Sequence, residues 1–80
     1  MARLLIVTAA GPGDPTRASI PFHIAVNGAA ASGVETAVAL AGDATELIKA
    51  DVVGAVRGLG VPPLAELMQL CHDRGVLLHV

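Results

Sequence analysis

Cys71 is the one thiol in the chain, and His72 follows it directly. Successive residues of a helix point about 100° apart, so the two do not form a nucleophile and base on one helix. Cys71 instead completes the series Leu64, Leu67, Met68, Cys71 at i, i+3, i+4, i+7, which makes it a small core residue with a slow thiol. Gly11-Pro12-Gly13-Asp14-Pro15-Thr16 opens as a dinucleotide fingerprint does but lacks the third glycine. Asp14 also places negative charge where a pyrophosphate would lie, and no Gly-Lys-Ser/Thr occurs, so the stretch reads as a tight turn. No two carboxylates are spaced for acid–base work, and no His, Cys, Asp or Glu cluster has metal-ligand spacing. The reading therefore assigns no catalytic residue, no metal and no cofactor. His23 is expected on a polar helix stripe, solvated or at a subunit contact. His79 is expected near the carboxyl end of a strand, at the level of the Gly11–Asp14 loop.

These groups need elements to carry them. Leu4–Val7 is a short apolar run without alternation, which predicts a strand covered on both faces, as in a parallel sheet sandwiched by helices. Asp14 and Pro15 then signal a helix start, with Asp14 as N-cap and Pro15 where its missing N–H is harmless. Ala18, Phe22, Ala25 and Ala29 form the expected core face, Pro21 predicts a kink near Arg17–Pro21, and Gly33 a left-handed cap. A second buried strand is expected over Val34–Ala41, giving a βαβ unit with parallel strands. Asp43 followed by Glu46 resembles a capping box for a second helix. Asp51, Gly54 and Gly58-Leu59-Gly60 weaken and end that helix, so it can form two short pieces. Pro63 opens a third helix, Arg74 complements its dipole, Gly75 caps it, and Val76–Val80 forms a third strand.

The resulting fold class is α/β: three layers with a mainly parallel sheet, three strands of it within this chain. Residues 1–80 read as a single domain, incomplete at its C-terminal end. In such sheets ligands collect at the carboxyl ends of the strands. The candidate binding residues are therefore Gly11, Pro12, Gly13, Asp14, Gly42, Asp43 and His79.

Composition narrows the partners. Charged residues are 15% of the chain against roughly 25% in an ordinary soluble domain, and hydrophobic residues are 54%, so self-association is expected. A net charge of −2, no basic run and one aromatic residue argue against nucleic acid and against an anionic membrane surface. The apolar part of the N-terminus is shorter than a signal peptide requires, and Ala18–Val34 is too polar to span a bilayer. A single cysteine suits a reducing compartment, so the expected location is cytoplasmic.

Three segments together resemble the DsrE/DsrF-like family: Gly11-Pro12-Gly13-Asp14-Pro15-Thr16-Arg17-Ala18, Leu40-Ala41-Gly42-Asp43 and Gly60-Val61-Pro62-Pro63-Leu64-Ala65-Glu66-Leu67. The resemblance implies a three-layer domain of about five strands, assembled as trimers or hexamers. It also implies, for some members, persulfide transfer between partner proteins by a cysteine shortly after the strand matching Val76–Val80. Cys71 does not match that position. The functional expectation is a small DsrE-like protein with a role in intracellular sulfur transfer as part of an oligomer. The alternatives are a non-catalytic oligomeric interaction module and an anion- or nucleotide-binding flavodoxin-like domain.

Overall fold

The computed structural model describes residues 2–80. Strand β1 (Arg3–Thr8) is followed by helix α1 (Pro15–His23), a π-helical segment (Ile24–Ala29), a 3-10 turn (Ala30–Ser32) and strand β2 (Glu35–Leu40). A 3-10 stretch (Gly42–Ile48), helix α2 (Ala50–Val53), helix α3 (Leu64–Asp73) and strand β3 (Leu77–His79) complete the chain. The strands form one parallel sheet in the order β1-β2-β3, with Ile6 opposite Val38 and Ala39 opposite His79. The α/β class and the three-stranded parallel sheet are as the sequence predicts.

Each turn of chain has a local cause. Asp14 Oδ1 accepts from the Arg17 amide at 3.1 Å and Pro15 occupies the first helical position, as its fixed φ favours. Pro21 does not end α1. It leaves the Arg17 carbonyl without its usual i+4 donor, and the winding changes just beyond, from α to π at Ile24. The wider winding brings Val26 into the core beside Ala25 and leaves Ala29 only partly covered. Gly33 and Gly75 adopt the expected left-handed conformation, at φ 82° and 69°.

The expected capping box is absent. Asp43 caps nothing, and Ala41 precedes a 3-10 stretch whose first turn is closed by the Thr45 hydroxyl donating to the Gly42 carbonyl at 2.8 Å. Gly42 has φ 55°, so the chain leaves β2 through a left-handed turn that an aspartate one residue later is not placed to cap. The second helix is two short pieces, separated at Lys49, which is extended.

One apolar cluster joins Ala18, Phe22 and Val26 to Val38 and Leu40, and these to Leu47, Leu64, Leu67 and Cys71. Thr36, Val38 and Leu40 point into it, and the register places Leu4, Ile6 and Thr8 on the same face of β1. The opposite face carries Leu5, Val7, Ala37, Ala39, Leu77 and His79, and there Leu5, Val7 and Leu77 are 59%, 67% and 60% exposed. The expectation that β1 is covered on both faces is thus met on one. The order β1-β2-β3 advances the same way at each crossover, so every helix falls on one side of the sheet.

Candidate functional site

Two loops meet at the carboxyl ends of β1 and β2. The first, Ala9–Asp14, is tightened by the Asp14 amide donating to the Gly11 carbonyl at 3.1 Å. The second leaves β2 at Ala41, whose amide donates to the Thr8 carbonyl at 3.0 Å and so extends the ladder by one rung. Gly11 lies against Asp43 so closely that a Cβ there would be 2.6 Å from the Asp43 carbonyl oxygen. Only glycine fits that approach without moving backbone.

Between the loops lies an open cavity of about 450 Å³ lined by Ala9–Asp14, Arg17, Asp43 and Glu46. Of the expected residues, Gly11, Pro12, Gly13, Asp14 and Asp43 line it together, and Gly42 forms the turn behind Asp43. His79 does not join them. It pairs with Ala39 across β2 from the Gly11 loop, on the open face of the sheet, because β3 adds next to β2 instead of next to β1.

The lining includes two charged residues outside the expected set. Arg17 lies one turn into α1 and its Nε stands 3.7 Å from Asp14 Oδ2, and Glu46 pairs with Lys49. The i, i+3 spacing of Asp14 and Arg17 on the first turn of a helix was the signal available for Arg17. The cavity thus presents three carboxylates and one guanidinium, with the N-terminal amides of α1 partly filled by the Asp14 cap. That balance disfavours a free anion or nucleotide, which the same amides would otherwise attract.

Cys71 lies away from this rim, 2% exposed within the helical core, and burial pushes its thiol up to about 11. It is a packed side chain with little thiolate at neutral pH. No group of His, Cys, Asp and Glu able to hold a metal occurs among the described residues, and no helix is long and apolar enough to cross a membrane. Protein-family models, curated proteins and solved structures give no match to this chain, so the likeness to the DsrE/DsrF-like family rests on the three sequence segments.

Proposed function

We propose that the chain is a subunit of a DsrE-like homo-oligomer, acting as an interaction module that needs no chemistry from its own side chains. The observation that carries this reading is the open apolar face of the sheet, where Leu5 and Val7 on β1 and Leu77 on β3 flank Ala37 and Ala39. Parallel sheets are almost always covered on both faces, and a subunit supplying one helical layer leaves the other to a partner. The sparse charge of the chain supports the same assignment.

Sulfur transfer by this subunit would need a thiol at the rim, and Cys71 is in the core. Cys71 is therefore not the sulfur carrier of such a relay, and the part assigned to residues 1–80 is assembly. Light scattering at micromolar concentration should give a multiple of 8.0 kDa. A folded monomer of that mass at every concentration, unaltered by Val7→Lys, would overturn the reading.

A further inference from the structure

Asn27 is the one asparagine of the chain, and Gly28 follows it. This is the residue pair most open to attack on itself, because a glycine nitrogen has no neighbouring side chain to keep it from the asparagine amide carbon. Both residues are exposed, within the π-helical segment Ile24–Ala29. Nothing structural requires glycine at 28: its φ is not positive, and among the described residues nothing lies within 4 Å of a Cβ built on it. Inside a helical winding a glycine only weakens the backbone.

The side chain of Asn27 is held at both ends. Its Nδ2 donates to His23 Nδ1 at 3.0 Å, and its Oδ1 accepts from Arg74 Nη1 at 3.0 Å. Arg74 stands at the C-cap of α3, and the same Nη1 donates to the Val26 carbonyl at 2.6 Å. That carbonyl follows the one on Ala25, which takes the Ala30 amide in the wide winding of the segment. A single guanidinium, distant in sequence, thus fastens both the Asn27 side chain and the backbone beside it.

We propose that Asn27–Gly28 is a site of self-modification, and that Arg74 is the latch that keeps it closed in the folded chain. The reaction consumes only water. The Gly28 nitrogen bonds to the Asn27 side-chain carbon and gives up its proton to solvent, while the Cγ–Nδ2 bond breaks and ammonia departs. Water then opens the cyclic imide at either carbonyl, leaving aspartate or isoaspartate, with nothing oxidised or reduced. Helical backbone keeps the attacking nitrogen away from that carbon, so the step waits on opening of the segment.

Either product alters the junction of α1 with α3. Aspartate sets a carboxylate against Arg74 and turns a neutral contact into a charged one. Isoaspartate routes the main chain through the side-chain carbon and lengthens it by a methylene, just beyond the fully buried Val26, which breaks the register of the winding. The site belongs to the helical layer, off the open face of the sheet, and the inference stands apart from the assembly reading.

The test follows isoaspartate at residue 27 by peptide mapping of the full chain, incubated in mildly alkaline buffer. Wild type unfolded in urea should be modified readily and unfolded Gly28→Ala far more slowly, because a methyl group obstructs the nitrogen. Equal rates for those two would overturn the site. Native wild type should react much more slowly than the unfolded chain. Native Arg74→Met, which keeps the aliphatic stem and removes the donors, should react roughly tenfold faster than native wild type, as for loss of a hydrogen bond to a charged group. Hydrogen exchange of the Ala30 amide should quicken in the same variant. Should circular dichroism show Arg74→Met unfolded, His23→Ala frees the other end of the side chain and should also react faster than wild type. Native wild type reacting as fast as the unfolded chain, or folded variants reacting no faster than wild type, would overturn the latch.

Discussion

The backbone of Asp43 sits where a side chain of residue 11 would have to be: a Cβ built on Gly11 lies 2.6 Å from the Asp43 carbonyl oxygen and 2.7 Å from its Cβ. This contact locks the loop after β1 to the loop after β2, beside the Ala41 amide that donates to Thr8. Gly11→Ala should therefore destabilise the fold by about 1–3 kcal/mol, the range for forcing atoms into a packed site. Truncating Asp43 to alanine should not rescue it, because the carbonyl oxygen and Cβ remain. Urea denaturation of the single and double variants checks this. Equal stability of wild type and Gly11→Ala would mean that the two loops are not held together.

Asp14 and Asp43 look alike in the sequence, each an aspartate after a glycine at the end of a strand. The structure separates them. Asp14 accepts from the Arg17 amide, so Asp14→Ala should cost about 1 kcal/mol of stability. Asp43 caps no amide, so Asp43→Ala should fall within about 0.5 kcal/mol of wild type, the scatter of surface substitutions. Thermal melts of the two variants side by side decide the point, and a larger loss for Asp43→Ala would reverse the assignment.

What the sequence disclosed and what it hid divide along physical lines. The start of α1, the core stripe of α3 and the left-handed glycines at 33 and 75 depend on local backbone chemistry, so single residues announced them. The placement of His79 depends on strand order, which no residue in β3 encodes locally. The open face of β1 was hidden because an apolar run without alternation looks the same whether its second cover comes from the chain or from a partner. At the site, the glycine-rich loop was legible and its contact with Asp43 was not, since a close approach between distant loops leaves only a glycine as its sign.

Gly58 is a second such glycine. A Cβ there would lie 2.8 Å from Thr16 Cα and 2.8 Å from Val61 Cγ2, and the neighbouring Leu59 amide donates to Thr16 Oγ1 at 2.9 Å. These contacts dock the segment before α3 on the first turn of α1, close to the cavity. Thr16→Val keeps the shape and removes the acceptor, so it should cost about 1 kcal/mol, while Gly58→Ala should cost more, because a backbone atom stands in its way. Hydrogen exchange of the Leu59 amide provides the local readout: protection should fall in Thr16→Val with the rest of α1 unchanged.

Cys71 links the core to pH. Burial alone pushes its thiol from the ordinary value of 9.0 up to about 11, so the folded state holds its proton where the unfolded chain has released it. The sign follows: below pH 9 both states are protonated and the thiol contributes no pH dependence, whereas between 9 and about 11 the unfolded state binds fewer protons and stability falls as pH rises. The slope from this group cannot exceed about 1.4 kcal/mol per pH unit. Lys49, raised by its hydrogen bond and charge pairing with Glu46, also loses stabilisation in alkaline solution, so the diagnostic quantity is a difference of slopes. Cys71→Ala should lower stability at pH 7 through the lost packing, yet show a shallower decline than wild type from pH 9 to 11. Urea midpoints taken at half-unit pH steps measure it, together with iodoacetamide labelling of the native protein at pH 8, which should run well below the rate of a free thiol. Parallel pH curves for the two proteins, with labelling as fast as for the unfolded chain, would place the thiol in solvent and take Cys71 out of the core.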